Sequence, residues 1–418
     1  MKIGFFTDTY FPQVSGVATS IYTLKNELEK MGHIVYIFTT TDPHANKNEE
    51  KRIIRLPSVP FISCKDRRVM VRGIVETYRI ACKLDLDIIH THTEFGLGIL
   101  GKITAQRLKI PVVHTWHTNY EEYLHYIAKG KLIRPVHVKM MAKLLFNKID
   151  GIVCPSQLVL EMLRDYGIKS PMRVISTGID IHRFICPEIT TEDEQNLRQS
   201  LGIQDSDILL LTLSRLAYEK NIHLLISGMP KIFAKYSNAH LVIVGDGPAR
   251  IDLERQAYTL ELSDHVHFTG MIDNKKVVYY YHAADYFISA SNSETQGLTY
   301  AESLASGLQS IVYGNAYLEE LLDNEMFGCL YYEQDAFANV LMDYMEKNIV
   351  IDEDLLNKKL YDISSDHFGL SMVDFYLDTL VHYSRKRIAR QKKLALVDIK
   401  KKLLNLKKIS RHKSKISS

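Results

Sequence analysis

Twice along the chain, short apolar runs alternate with stretches of helical period, and that rhythm restricts the fold more than any other feature. The first series opens with "KIGFFTD", passes through "TYFPQVSGVATS" into a helical pattern carrying Ile21, Leu24, Leu28 and Met31, and closes at Gly32 before "HIVYIFTT". It continues with "LDIIHTHT", a helix through "LGILGKITAQRL", "IPVVHTWHT", a long helical stretch over 120–148, "GIVCPS", a helix at 157–165 and "MRVIST". Continuous apolar strands separated by helices are the pattern of a parallel sheet covered on both faces. After a polar, irregular stretch around Cys186 to Asn196 the alternation restarts in "DILLLTLSRL", "HLVIVGDGP", "HVHFTGMI", "DYFISASNSE", "QSIVYGN" and "GCLYY". The expected class is α/β, two doubly wound, Rossmann-like domains facing a central cleft, with ligands at the carboxyl ends of the strands. Their expected limits are residues 1–185 and 201–365, with a linker at 186–200, a helix at 366–384 packing back on the first domain, and a basic amphipathic tail at 385–418.

A chain of 418 residues exceeds one ordinary core, and 46% apolar with 24% charged side chains suits folded domains. Cys64, Cys82, Cys154, Cys186 and Cys329 form no C-x-x-C, so neither a disulfide framework nor a zinc knuckle is indicated and a reducing cytoplasm is expected. The apolar run before Asp8 is too short for a signal peptide, and no window approaches the ~18 apolar residues of a spanning helix. The net charge of +3 conceals an asymmetry. Arg385 to Ser418 holds 14 Lys/Arg and one acidic residue, Asp398, a net +13; residues 1–384 hold 38 basic and 48 acidic side chains, a net −10. Such a tail calls for an anionic partner.

Several residues stand where doubly wound sheets bind ligands. In "SETQGLTYAES", residues 293–303, a strand gives way to a helix at Gly297, so the backbone N–H groups of Gln296, Gly297 and Leu298 fall at a helix N-terminus suited to a phosphate. Glu294 and Glu302 bracket that turn. As bidentate acceptors, one can take a hexose and the other a ribose. An isolated pair at this spacing is more often two solvated glutamates; its place after a strand favours a site. "SRLAYEKN" puts Arg215 and Lys220 in a strand-to-helix connection, a fork and a point charge for a diphosphate, with a plain surface loop as the alternative. Gly16 in "PQVSGVATS", and Gly245 and Gly247 in "GDGP", lie in similar connections, where a missing Cβ lets backbone approach a ligand; "GDGP" alone reads as a turn. No G-x-G-x-x-G is present, so the nicotinamide fingerprint is absent. His90, His92, His114 and His117 end two successive strands. A metal site is conceivable, but no carboxylate or cysteine stands at a matching spacing; hydrogen-bonded histidines are expected, with His117 the functional member at the cleft.

In this order, "FTDTYFPQVSGVATS", "HTWHTNY", "SRLAYEKN", "VGDGP", "FTGMI" and "SETQGLTYAES" make residues 1–384 resemble the retaining GT-B glycosyltransferases of glycosyltransferase family 4. Through "HTNYEEYLHYIAKGKLIRP" and "SETQGLTYAESLASG" the chain is similar to the bacterial members that put α-glucose on diacylglycerol. The resemblance implies a hexosyltransferase using UDP-glucose, with no required cofactor or metal and room for stimulation by a divalent cation or anionic lipid. It implies that Arg215 and Lys220 hold the sugar diphosphate, Glu294 the hexose hydroxyls and Glu302 the ribose. Gly16 would face the diphosphate, and His117 would lie beside the transferring sugar. No carboxylate nucleophile stands out for a covalent route. The family's usual proposal, in which the leaving diphosphate takes the acceptor proton on the same face, is the implied mechanism. Gln309 departs from the pattern, standing where members usually carry proline, and a packing difference is expected there.

The expected acceptor is diacylglycerol at an anionic membrane. Leu396, Ile399, Leu403 and Leu406 recur at helical spacing while Lys400, Lys401, Lys402, Lys407 and Lys408 fall largely elsewhere, the pattern of a helix lying on a charged surface. Lys129, Lys131, Arg134, Lys139 and Lys143 repeat the theme in the first domain. The expected location is cytoplasmic, peripheral to the inner face of the cell membrane. A disordered solvated tail and an ordinary core helix are the alternatives. Nucleic acid is not expected as a partner, since no reading motif accompanies the tail and the remainder is acidic. Extension of an existing glycolipid or a cell-surface polysaccharide, or a sugar-nucleotide epimerase of the same fold, are the alternative activities.

Overall fold

Leu209, Leu210 and Leu211 of one strand and Leu241, Val242 and Ile243 of its neighbour are each 2% exposed or less, which requires cover on both faces of the sheet they build. The computed structural model describes residues 1–13, 15–45, 51–61, 64–117, 135–146, 149–185, 188–292, 294, 296–347 and 349–416. Its first half runs β1 (Lys2–Phe6), α1 (Gly16–Lys30), β2 (Ile34–Thr40), β3 (Ile53–Leu56), β4 (Ser58–Phe61), β5 (Cys64–Met70), α2 (Ile74–Leu84), β6 (Ile88–Thr91), α3 (Gly96–Leu108), β7 (Val112–Thr115), α4 (Pro135–Phe146), β8 (Gly151–Cys154), α5 (Gln157–Asp165) and β9 (Met172–Val174). After α6 (Ile181–Ile185) and α7 (Thr191–Ser200) come β10 (Ile208–Leu213), α8 (Ile222–Lys235), β11 (Ala239–Val244), α9 (Arg250–Thr259), β12 (Val266–Gly270), α10 (Val277–Ala283), β13 (Tyr286–Ser289), α11 (Leu298–Ala305), β14 (Gln309–Tyr313), α12 (Ala316–Leu321), β15 (Gly328–Tyr331), α13 (Phe337–Met345), α14 (Glu353–Asp362) and α15 (Ser365–Ile416).

Both large sheets are parallel, ordered β3-β2-β1-β6-β7-β8-β9 and β12-β11-β10-β13-β14-β15. The chain winds outward one way and then the other, so the order reverses between β1 and β6 in the first sheet and between β10 and β13 in the second. These switch points leave a crevice at the carboxyl ends of the strands. The α/β class with two Rossmann-like sheets holds. Three features depart from the sequence reading. β3 adds an edge to the first sheet; β4 and β5 form a separate antiparallel ribbon; and the polar stretch read as irregular contains α7. Polarity concealed that helix, although Thr190 and Asp193 cap it reciprocally and buried Arg198 ties it to Ala283 O and the Asp285 carboxylate.

The last helix belongs to the first sheet. Phe368, Met372, Phe375 and Tyr376 of α15 are 4% exposed or less and share a cluster with Ile3 and Phe5 of β1, Ile88 of β6 and Val113 of β7. A Cβ on Gly151 of β8 would come within 2.8 Å of the Phe375 ring, so the helix lies close on that face. The chain therefore passes between the sheets twice, and the two passages run side by side. Ile179 N donates to Ile363 O at 2.9 Å and Ser365 N donates to Ile179 O at 2.7 Å. At Gly178 a Cβ would lie 2.1 Å from Ser364 O, so only glycine permits the passages to touch. Gln309, the departure from the family pattern, begins β14 opposite Tyr286.

Candidate active site

Arg215, Lys220 and Glu294 all leave the second sheet at its switch point, the first two after β10 and the third after β13. Arg215 is exposed on a loop pressed against Gly245 and Gly247. A Cβ at those glycines would lie 2.0 Å from Ser214 O and 2.4 Å from Leu216 O, and Leu216 N donates to Asp246 O at 3.0 Å. "GDGP" is thus a bed for the segment that carries Arg215. Lys220 ends a short 3-10 turn and its Nζ donates to Glu294 Oε1 at 2.6 Å, both side chains less than a fifth exposed. The ammonium and the carboxylate hold each other beside the start of α11. Gly297 caps that helix with φ 74°, and a Cβ there would fall 2.5 Å from the Tyr300 ring and 3.4 Å from Glu294 Cδ. Leu298 is the first helical residue, so the turn of Gln296, Gly297 and Leu298 presents a helix N-terminus next to the ion pair.

Glu302 lies in the second turn of α11 and accepts from the Tyr281 hydroxyl at 2.9 Å. Burial raises its carboxyl above the usual range, while the Tyr281 bond and the charge of Arg183 act the other way. No hydrogen bond or ion pair joins Glu302 to Glu294 among the described residues; they share the helix start but have different partners. Gln296 takes a role that the sequence did not reveal. Its buried side chain accepts from Thr177 N at 3.0 Å and donates to Thr177 O at 2.7 Å, and Thr177 Oγ1 lies 2.8 Å from Ser20 Oγ in α1. The α11 turn is therefore pinned to the segment leaving the first domain and, through it, to α1.

In the first domain Gly16 opens α1, capped by Ser15, whose Oγ accepts from Ala18 N at 3.2 Å. A Cβ at Gly16 would meet no described atom within 4 Å, so packing does not demand the glycine and the space beside it is open. Asp8, which no motif singled out, follows β1 at the first switch point. It accepts from Thr93 Oγ1 at 2.7 Å and from Leu97 N, at the start of α3, at 3.1 Å; burial raises its carboxyl. Its position just past the first apolar strand was the available signal.

The four histidines are brought together, each hydrogen-bonded, two of them to each other. His92 Nδ1 lies 3.1 Å from His117 Nε2, His90 is held between Tyr376 Oη at 2.6 Å and Thr115 Oγ1 at 2.7 Å, and His114 Nδ1 lies 2.8 Å from Thr91 Oγ1. Burial, with the neighbouring histidines second, pushes His90 and His92 well below the usual imidazole range and His117 down to about 3. All three are neutral at physiological pH. Among the described residues no group of three or more His, Cys, Asp or Glu could hold a metal ion.

Of the basic residues expected at a membrane, Lys129, Lys131 and Arg134 lie outside the described residues. Lys139 and Lys143 are on α4, half-buried and exposed respectively. That helix buries Val138, Ala142 and Phe146 and exposes Val136 (61%), Met140 (58%) and Leu144 (70%), a second apolar stripe facing outward. Lys102 of α3 reaches Leu145 O at the end of α4, and α3 exposes Ile99 and Ile103, with Phe95 exposed just before its start. Lys400, Lys401, Lys402, Lys407 and Lys408 fall within the helical backbone of α15. No described helix is long and apolar enough to cross a membrane.

A family model described as Glycosyltransferase Family 4 matches residues 14–183, and one described as Glycosyl transferases group 1 matches residues 193–359. The chain is 52% identical over 381 residues to an alpha-monoglucosyldiacylglycerol synthase of Streptococcus pneumoniae, covering 91% of this chain and 86% of that one. It is 30% identical over 394 residues to an alpha-monoglucosyldiacylglycerol synthase of Acholeplasma laidlawii, covering 90% of this chain and 98% of that one. Among solved structures, Anabaena HepE in complex with UDP superposes with a TM-score of 0.73 at 17% identity, covering 90% of this chain and all of that one. Sucrose-phosphate synthase of Thermosynechococcus elongatus does so at 0.69 and 20%, covering 91% and 99%; both likenesses concern the fold.

Proposed function

This chain belongs to glycosyltransferase family 4, and from that premise we propose that it moves glucose from UDP-glucose to 1,2-diacylglycerol, with retention at the anomeric carbon, at the cytoplasmic face of the cell membrane. The observation that carries the donor half is the meeting of Lys220, Glu294 and the start of α11 at the second switch point. The acceptor rests on the names borne by the two synthases. In this division of labour residues 1–185 receive the acceptor and face the membrane, and residues 201–365 bind the donor.

An arriving diphosphate competes with Glu294 for Lys220. Once Lys220 and Arg215 turn to the phosphates, Glu294 is released to accept from hexose hydroxyls, while Glu302 takes the ribose. As the bond from the anomeric carbon to the diphosphate breaks, negative charge grows on the leaving oxygen, and Arg215, Lys220 and the N–H groups of Gln296, Gly297 and Leu298 are there to meet it. Glu294, engaged with cations and hydroxyls, is no backside nucleophile. The acceptor hydroxyl approaches on the face being vacated, gives its proton to the leaving diphosphate and bonds the anomeric carbon. His117 and Gly16 would border this space, His117 as a neutral group that positions the sugar. The reaction asks for no metal, because cations and helix start already supply the opposing charge. Gly245 and Gly247 act through the loop that carries Arg215.

Membrane contact is assigned to the basic tail and to Lys129, Lys131, Arg134, Lys139 and Lys143. The outward stripe of Val136, Met140 and Leu144 on α4, which carries no acidic residue, supports this. The deciding experiment uses purified protein, UDP-glucose and anionic liposomes with and without diacylglycerol, following UDP release and lipid-linked glucose. Glucose on lipid only when diacylglycerol is present is the expected result. UDP release without glucosyl-diacylglycerol, or glucose appearing only on an added glycolipid, overturns the acceptor; absence of turnover overturns the donor.

A further inference from the structure

His117 Nε2 and His92 Nδ1 are 3.1 Å apart, a hydrogen bond between two neutral imidazoles that holds a single proton. The proton's side decides which face of His117 is a donor. On one side His117 Nε2–H donates, and His92 must carry its own proton on Nε2. That atom is buried and has no hydrogen-bond partner among the described residues. On the other side His92 Nδ1–H donates, and its Nε2 is a bare lone pair. A buried N–H without an acceptor is the costlier defect, since native structures tolerate an unpartnered acceptor better than an orphaned donor. The His92 ring is also fixed in place. It lies against the His90 ring at 4.0 Å between ring centres, tilted by 35°, and takes the Phe5 ring edge-on at 4.9 Å, while both nitrogens of His90 are tied, to Tyr376 and to Thr115. His92 is 2% exposed and cannot turn to solvent.

We propose that His92 is a positioning residue, donating Nδ1–H to His117 Nε2 and so holding His117 in the tautomer that keeps its proton on Nδ1. His117 is then a neutral ring of fixed tautomer and fixed orientation beside the transferring sugar. The kinetic consequence rests on the proposed role of His117 beside that sugar; the tautomer does not.

The test joins spectroscopy to kinetics on the full chain. Long-range proton–nitrogen spectra of protein labelled with ¹⁵N-histidine, with His117 assigned by its loss in His117→Gln, are expected to show His117 Nδ1 protonated and Nε2 bare. His92→Asn keeps an N–H near the position of Nδ1, whereas His92→Phe keeps only the ring. His92→Phe is expected to mix the His117 tautomers and to lower kcat by about 10- to 100-fold with KM for UDP-glucose within about threefold, the size of a lost orienting hydrogen bond. His92→Asn is expected to keep the tautomer and to recover most of that rate. A His117 found with Nε2 protonated in the parent protein overturns the proposal, whether or not the variants fold. So does a His92→Phe protein whose tautomer and kcat match those of His92→Asn. If the parent protein transfers no glucose, the functional assignment fails while the spectra still decide the tautomer.

Discussion

Lys220 and Glu294 pair across 2.6 Å, so replacing either takes an opposite charge away from the other. Lys220→Ala should weaken UDP binding by about tenfold or more, because a charge-assisted contact to phosphate is lost. Glu294→Gln should leave UDP affinity unchanged or raise it, since UDP has no hexose and no longer competes with a carboxylate for Lys220, while lowering kcat/KM for UDP-glucose by roughly 100-fold. Calorimetry with UDP beside the transfer assay separates the two, and equal losses of UDP affinity would refute the assigned roles. Histidines supply a second prediction. Burial holds His90, His92 and His117 below the usual range, as it does His240 and, down to about 4, His267. The folded state then carries fewer protons than the unfolded chain below pH ~6.5, so stability is complete above that value and falls as pH drops, for His117 by up to about 1.4 kcal/mol per pH unit until its folded value of about 3 is reached. A urea midpoint unchanged between pH 7.5 and 5.5 would contradict it. Arg215, Lys220 and Glu294 were legible because each follows an apolar strand. The latch formed by the Gln296 side chain was not, since its partner Thr177 is 119 residues away and nothing local announces it.

Helix α11 turns on one glycine. Gly297 has φ 74°, and a methyl group there would meet the Tyr300 ring at 2.5 Å, with the Tyr300 hydroxyl held 2.9 Å from Ser289. Gly297→Ala must therefore shift the helix start, at a cost of about 1–3 kcal/mol for the strained backbone, and should lower the thermal midpoint and UDP affinity together. A variant that loses stability but binds UDP normally would show that the helix start does not touch the phosphates. Elements with a strong apolar period, such as β10, β11 and α1, could be read from the sequence. The ribbon of β4 and β5 could not, because Ser58, Pro60, Arg67 and Arg68 interrupt any strand alternation. Polarity hid α7 in the same way, although the capping pair Thr190 and Asp193 was in plain view.

Over the whole molecule, charge and shape separate an acidic two-sheet body from a basic end. Helix α15 has 52 residues, roughly 80 Å of rod, and among its described side chains the buried ones lie in the first turns, up to Thr379. Removing residues 393–418 discards nine Lys/Arg and one Asp. At about 1 kcal/mol per cation near an anionic surface, the truncated protein should lose on the order of 100-fold or more in partition to anionic vesicles while keeping its thermal midpoint. Unchanged sedimentation with vesicles would dismiss the tail as a membrane element. The two-sheet architecture was legible from the doubled rhythm of strands and helices, but the touching passages at Gly178 and Ser364 were not, being a contact between distant segments. The placement of α15 also bears on how the protein is made. The chain order puts β1 before α15, so during synthesis the sheet around β1 lacks Phe368, Met372, Phe375 and Tyr376 until the second sheet has been made. The first sheet is therefore completed after the second, and a nascent chain paused before α15 shows bare apolar sheet to solvent. Tyr376 cannot reach His90 before then, so the histidine cluster beside His117 is completed only after the strands and helices of the second sheet have been synthesised.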